Sequence, residues 1–197
     1  MTNRRTFILG LAATSLATPA LPAFARGPVR RLFNGRNLDG WTPAGDANWR
    51  IERGVLAADR GTGMSFLVSR DGYRDFELRA EFWVSADANS GIFIRCQDRA
   101  TITPDNSYEV NIVDMRPDPT YGTGGIVNVA PVAPPMPRAG GRWNVMTIRA
   151  RGDRFDVMLN GRTTVDGVRN ARHAAGPIAL QYGSGTVRFR KVELRAL

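Results

Sequence analysis

Two scarcities bound the chemistry before any motif is read: the chain of 197 residues has one cysteine and one histidine. Cys96 has no partner for an internal disulfide, so stability has to come from packing. A lone thiol in an apolar strand reads as a small buried hydrophobe rather than a nucleophile. His173 stands in Arg172-His173-Ala174-Ala175 ahead of a Gly-Pro strand start, a loop context, which excludes a multi-histidine metal site and a His-dependent catalytic triad. Runs of basic residues are missing as well. The formal charge is +9, yet the cations are nearly all arginine and are scattered, often at alternating positions such as Arg188 and Arg190. That distribution suits a solvated face with some attraction for acidic ligands and argues against nucleic acid as a partner. Helical periodicity is absent too: beyond the N-terminal segment no stretch keeps apolar residues at helical spacing for three turns. The glycine-rich Tyr121-Gly122-Thr123-Gly124-Gly125 therefore lacks the strand-turn-helix setting that phosphate binding needs and reads as a loop over a sheet.

What is present begins with an export signal. Arg4 and Arg5 precede Thr6-Phe7-Ile8-Leu9, an apolar stretch through Leu16, and Ala23-Phe24-Ala25. A basic start, a short apolar run and an A-x-A cleavage site predict a signal peptide of the twin-arginine type over residues 1–25, with an ordinary Sec signal as the alternative. Thr14, Ser15, Thr18 and Pro19 break the apolar run, leaving it too short for a permanent anchor. The expectation is a periplasmic bacterial protein with no membrane anchor after cleavage. Residues 26–197 then suit a single domain with one core.

Periodicity beyond the signal is two almost everywhere. In Phe76-Glu77-Leu78-Arg79-Ala80-Glu81-Phe82-Trp83-Val84 the apolar residues at even positions take one face and mostly charged residues the other. Similar strands are predicted at 49–52, 55–58, 66–69, 91–97, 108–114, 125–129, 144–150, 154–159, 177–182 and 186–195, separated by Gly, Asp, Asn and Pro clusters. Arg151-Gly152-Asp153 and Asn160-Gly161 supply tight turns between them. The Pro-rich segment 130–137 cannot join a ladder and reads as an extended surface loop. The fold class is all-β, two stacked antiparallel sheets or a barrel, with length and irregular loops favouring a jelly-roll sandwich. Trp41, Trp49 and Trp143 sit among apolar neighbours at element boundaries, which predicts core packing for each.

A series of blocks resembles one family. Leu32-Phe33-Asn34-Gly35-Arg36-Asn37-Leu38-Asp39-Gly40-Trp41 looks like its characteristic start. Tyr73-Arg74-Asp75-Phe76-Glu77-Leu78, Asn89-Ser90-Gly91-Ile92-Phe93-Ile94-Arg95, Tyr108-Glu109-Val110-Asn111-Ile112-Val113-Asp114, Trp143-Asn144, Leu159-Asn160-Gly161 and Gly176-Pro177-Ile178-Ala179-Leu180-Gln181 follow in its order. On these residues, from Leu32 to Leu194, the chain is similar to the 3-keto-disaccharide hydrolase domains. The resemblance implies a concanavalin A-like jelly roll of two antiparallel sheets, one of them curved and carrying the ligand on its concave side. The chain departs from the family pattern at Asn111, where Gln is usual, at Tyr182-Gly183, where Asp-His-Gly is usual, and at Phe189-Arg190-Lys191, where Phe-Arg-Asn is usual. A mechanism that relies on the missing histidine is not available to it.

Alternation alone also points to a site. If Val110, Ile112, Ile92, Ile94, Ile178 and Leu180 face the core, then Glu109, Asn111, Phe93, Arg95 and Gln181 face outward. Planar amides and a guanidinium suit sugar hydroxyls, with Phe93 or Tyr182 as a platform for the ring and Ser90 as a further polar group. The bland readings are an Arg95–Glu109 pair on a solvated sheet, Asn89-Ser90-Gly91 as a tight turn into a strand, and Asp114 as a strand-end residue. The resemblance implies a glycoside whose 3-hydroxyl has become a ketone, cleaved by elimination and hydration. For that chemistry Glu109 is the expected base, Arg95 the enolate stabiliser and Asp114 the second carboxylate. Conventional acid-base work by two carboxylates on an unoxidised glycoside stays open beside it. No cofactor is expected, a cation such as calcium held by Asp and backbone oxygens stays open, and no EF-type spacing exists. The expected partners are a carbohydrate substrate and a periplasmic sugar oxidoreductase that supplies the 3-keto form. The alternative function is a noncatalytic carbohydrate-binding protein of the cell envelope.

Overall fold

Thirteen strands form among the described residues, and the alternation read from Phe76 to Val84 organises most of them. The computed structural model describes residues 27–116, 118–132 and 134–197, and the expected signal at 1–25 lies outside them. The strands are β1 (Val29–Phe33), β2 (Trp41–Ala44), β3 (Arg50–Glu52), β4 (Val55–Ala58), β5 (Ser65–Tyr73), β6 (Phe76–Val84) and β7 (Asn89–Ile94). They continue as β8 (Tyr108–Val113), β9 (Trp143–Arg151), β10 (Arg154–Leu159), β11 (Arg162–Arg169), β12 (Gly176–Tyr182) and β13 (Val187–Ala196).

The strands divide into two antiparallel sheets that make a jelly-roll sandwich. The larger runs β11-β10-β9-β6-β13-β4-β3, with β1 also paired to β13, and the smaller runs β2-β5-β12-β7-β8. Between them lies one apolar layer. Leu78, Phe82, Ile148, Phe155 and Phe189 from the larger sheet meet Leu67, Ile92, Val110, Ile112 and Leu180 from the smaller, all with no more than traces of exposure. Each such side chain contributes roughly 1.5–3 kcal/mol by leaving water, which is how a fold without disulfides holds. Cys96 is buried, and burial pushes its thiol up to about 12, leaving a packing group with almost no thiolate.

The turns follow local chemistry. Asn160 and Gly161 both adopt positive φ, 52° and 81°, in the two-residue connection that pairs Leu159 with Arg162. Gly152, at φ 56°, closes the β9–β10 hairpin.

Three strands were not anticipated, and one expected strand is absent. β2 contains Pro43 but is the edge of its sheet, where a missing N–H costs no ladder bond. β1 has two adjacent arginines among its five residues, and β11 is interrupted by Gly167 at φ 61° and by two register shifts, so neither shows clean alternation. The expected strand at 125–129 is instead a tight turn: Val129 and Ala130 both donate to the Ile126 carbonyl, and Asn128 has φ 59°. The segment still protects the edge of β8, since Asn111 N donates to Gly125, Gly124 N to Asn111 and Val127 N to Glu109. Trp143 also differs from expectation. Trp41 is in the core and Trp49 packs against it, whereas Trp143 lies on the outward face of the larger sheet beneath Arg190.

Candidate functional site

The outer face of the smaller sheet is apolar at its centre and polar at one edge. Because Leu67, Ile92, Val110 and Leu180 point into the sandwich, their neighbours Phe66, Phe93, Glu109, Asn111 and Gln181 point away from it. Register brings them together. Phe93 pairs with Glu109 and Gly91 with Asn111 across β7 and β8, Ala179 pairs with Phe93 across β12 and β7, and Gln181 pairs with Phe66 across β12 and β5. Phe66 and Phe93 meet edge to face at 5.2 Å, and with Val68, Ala179, Cys96 and Ile102 they form a second apolar cluster. Above it opens a cleft of about 500 Å³, with Glu109, Asn111, Gln181 and Phe93 in its floor. Met64, Thr103, Met115 and Arg116 come to its walls from flanking loops.

Glycine at position 91 is what makes room between the polar groups. A β-carbon there would stand 3.1 Å from Gln181 Oε1 and 3.3 Å from both Cγ and Oε1 of Glu109. Gly91, expected at the start of a strand and at the end of a tight turn leading into it, lies inside β7, which begins at Asn89, and clears the floor of the cleft.

Three polar groups in this floor are underused. Asn111 Nδ2 donates to the Tyr121 carbonyl at 2.6 Å, which fixes the amide and leaves Oδ1 buried with no donor among the described residues. Among the described residues Gln181 Nε2 reaches only the sulfur of Met64 at 3.4 Å, and its Oε1 is likewise buried without a donor. The Glu109 carboxylate receives no hydrogen bond among the described residues. Burial pushes its carboxyl up to about 7, while the charge of Arg116 pulls weakly the other way. Buried acceptors normally find partners, so two orphan amide oxygens and a carboxyl without donors in one hollow make it the candidate site for a ligand that donates hydrogen bonds.

Other residues expected at the site are elsewhere. Arg95 follows the last residue of β7 and adopts φ 53°, which breaks the alternation and turns its side chain away from the cleft. Its guanidinium is buried, donates to the carbonyls of Arg74, Gly152 and His173, approaches Asp75 at 3.4 Å and lies 5.1 Å from the Phe155 ring centre. It ties three loops together at the end of the sandwich. Asp114 accepts from Thr123 Oγ1 at 2.8 Å and from the backbone N–H groups of Ala139 and Gly140, so it anchors the loop before β9. Tyr182 packs in the inter-sheet core. Ser90 is buried and donates to the Gln181 carbonyl at 2.7 Å, linking β7 to β12. Thus Glu109, Asn111, Gln181 and Phe93 converge, and Arg95, Asp114, Tyr182 and Ser90 do not.

Sequence reasoning missed Arg116 and Asp87, both on the cleft's rim. Asp87 is exposed, and a hydrogen bond from Ser85 holds its carboxyl below the usual range. Both lie in loops, where period-two reasoning has no purchase. Among the described residues no group of three or more His, Cys, Asp or Glu side chains is placed to hold a metal ion.

Comparison with known proteins agrees with this architecture. Residues 28–195 match the family described as the 3-keto-alpha-glucoside-1,2-lyase-like domain. A curated relative, the 3-keto-disaccharide hydrolase of Bacteroides thetaiotaomicron, is 26% identical over 164 residues, covering 68% of this chain; the match spans 56% of the relative's length. Among solved structures, a glycosyl hydrolase candidate from Parabacteroides distasonis superposes with a TM-score of 0.76 at 17% identity, covering 87% of this chain and 94% of the other. A Bacillus subtilis protein with a galectin-like fold gives 0.65 at 10% identity over 86% and 94% of the two chains. At such identities these two likenesses establish the fold.

Proposed function

Since the chain belongs to the family of 3-keto-alpha-glucoside-1,2-lyase-like domains, we propose that its cleft binds a neutral glycoside oxidised at C3 and cleaves the glycosidic bond by elimination followed by hydration. Glu109 carries the reading. A carboxyl at about 7 is half ionised at neutral pH and strong enough as a base to take an activated carbon-bound proton. The ketone at C3 acidifies the hydrogen on C2. Glu109 removes that proton, the C2 electron pair becomes the enolate, and the enolate expels the oxygen on C1, which takes the proton from Glu109, to leave an enone. Water then adds at C1, a proton returns to C2, and the products are the 3-keto sugar and the protonated leaving group. Asn111 Oδ1 and Gln181 Oε1 accept sugar hydroxyls, Phe93 packs beneath the ring, and Arg116 takes the place beside the enolate oxygen that Arg95 does not occupy.

Such a substrate has to be made by oxidation of the 3-hydroxyl, so an oxidoreductase acts before this protein. Export on the twin-arginine signal would put this protein in the periplasm.

One observation favours a second reading. Asp87 stays ionised at the rim while Glu109 is held near neutrality, a separation that also suits conventional hydrolysis of an unoxidised glycoside. Incubation with a 3-keto-glucoside and with the matching glucoside separates the two. Release from the keto sugar alone, lost at least a hundredfold in Glu109→Gln, supports elimination. Release from the plain glucoside transfers the case to the Asp87 reading, and tight binding without release leaves a lectin.

A further inference from the structure

On the opposite side of the sandwich, the outer face of the larger sheet carries a row of aromatic and cationic side chains that the cleft chemistry does not use. Trp143 pairs with Trp83 across β9 and β6, and Trp83 with Arg188 across β6 and β13. Arg188 stacks on Trp83 at 4.7 Å and Arg190 on Trp143 at 4.2 Å. A register shift between Phe189 and Lys191 places Arg190 and Lys191 on the same surface, where both reach Glu81. With Arg79 they surround that carboxylate on three sides, so it adds no free negative charge to the face.

Two hollows adjoin here. One, of about 560 Å³, is lined by Glu52, Arg53, Val55, Trp143 and Arg188. The other, of about 280 Å³, has Arg31, Arg36, Gly54, Arg190 and Lys191 in its walls. Their linings are neighbours in the chain, Arg53 of one preceding Gly54 of the other, and Arg188 and Arg190 flanking Phe189. The turns that carry Arg36 and Arg53 are packed together: a β-carbon on Gly35 would stand 3.2 Å from the Gly54 carbonyl, and Arg53, Gly54 and Gly35 all have positive φ. Glu52 is held by Arg50 and Glu193 by Arg31. Arg36, Arg53 and Arg188 have no carboxylate partner among the described residues.

We infer that this face is a second binding surface, for an acidic sugar chain whose carboxylates engage Arg36, Arg53 and Arg188 while its rings lie beside Trp143, at the part of the indole that lines the hollow and is not covered by Arg190. The planar guanidinium fork matches a carboxylate in two parallel hydrogen bonds, and stacking on Trp83 holds that of Arg188 ready to do so. The Glu81 site is an internal instance of the same surface holding a carboxylate. An elongated pair of hollows fits an oligomer rather than a single ion, and the aromatic floor fits a pyranose ring rather than a bare phosphate. The cleft on the other face, with its carboxyl and two orphan acceptors, favours a neutral sugar, so the two faces select different ligands. Anchoring on an acidic polymer would keep the cleft close to glycans of the same matrix.

The test is calorimetric titration of the full chain in 150 mM salt with hexagalacturonate, maltohexaose, polyphosphate and a short oligonucleotide. Saturable binding of the uronate hexamer, at least tenfold tighter than maltohexaose and polyphosphate, supports the proposal. It should weaken about tenfold in Arg53→Ala/Arg188→Gln and stay unchanged in Glu109→Gln, which disables the cleft alone. These arginines lie at the surface, and circular dichroism checks that the double variant is folded. No binding of the uronate overturns the proposal. So does equal binding of polyphosphate or oligonucleotide, the mark of a general polyanion surface, and so does loss of binding in Glu109→Gln, which would put the acid in the cleft.

Discussion

Gly91 lies directly across the ladder from Asn111, and the space above its α-carbon is shared by the side chains of Gln181 and Glu109. The missing side chain is therefore part of the site. Gly91→Val would drive both groups off the floor of the cleft. Affinity for the oxidised glycoside should fall at least tenfold, with the far-ultraviolet circular dichroism unchanged; titration calorimetry reads the first and spectroscopy the second. Unaltered affinity would mean that the ligand sits elsewhere.

Glu109 links the site to stability. Its carboxyl titrates at about 7 in the fold against 4.5 for the free side chain, so between those values the native state holds a proton that the unfolded chain has lost. Stability should therefore decline as pH rises from about 4.5 to about 7, and level off above, by about 3 kcal/mol at most. Glu109→Gln removes the decline. Thermal unfolding from pH 4 to pH 8 checks this, and parallel curves for the two proteins would contradict it.

Glu81 gives the opposite slope. Burial works against its charge, but hydrogen bonds from Arg190, Arg79 and Lys191 outweigh that and hold the carboxyl at about 2. Its contribution is present above about 4.5 and lost as pH falls towards 2. Glu81→Gln should cost about 1–3 kcal/mol at neutral pH and much less at pH 2.5, measured by denaturant unfolding.

The outward set on β8 and β12 was legible because period-two alternation survives wherever a strand is buried on its inner face. Glu109, Asn111 and Gln181 needed no more than Val110, Ile112 and Leu180 beside them. Arg95 was misplaced because one residue beyond Ile94 the chain enters positive φ, and a single such residue ends the rule. Nothing in Arg95-Cys96-Gln97 announces that turn. Asp114 failed differently: its partners, the N–H groups of Ala139 and Gly140, lie some 25 residues along the chain, beyond any local pattern. Asp87 and Arg116 come from loops whose course depends on the finished sandwich.

Arg95 yields a prediction from its corrected position. With its guanidinium donating to three backbone carbonyls inside the protein, Arg95→Met should destabilise the fold by about 3 kcal/mol or more, since the acceptors are left without donors. Turnover by the fraction that remains folded should change less than threefold. A large loss of kcat at full stability would return Arg95 to the chemistry.

The account rests on proton removal from C2 by Glu109. A 3-keto-glucoside carrying deuterium at C2, followed by mass spectrometry in ordinary water, tests that step directly. The account predicts a primary isotope effect on glycoside release, deuterium lost from the product, and both features abolished with turnover in Glu109→Gln. Release that proceeds at the same rate from both isotopologues and keeps its deuterium at C2 would contradict it.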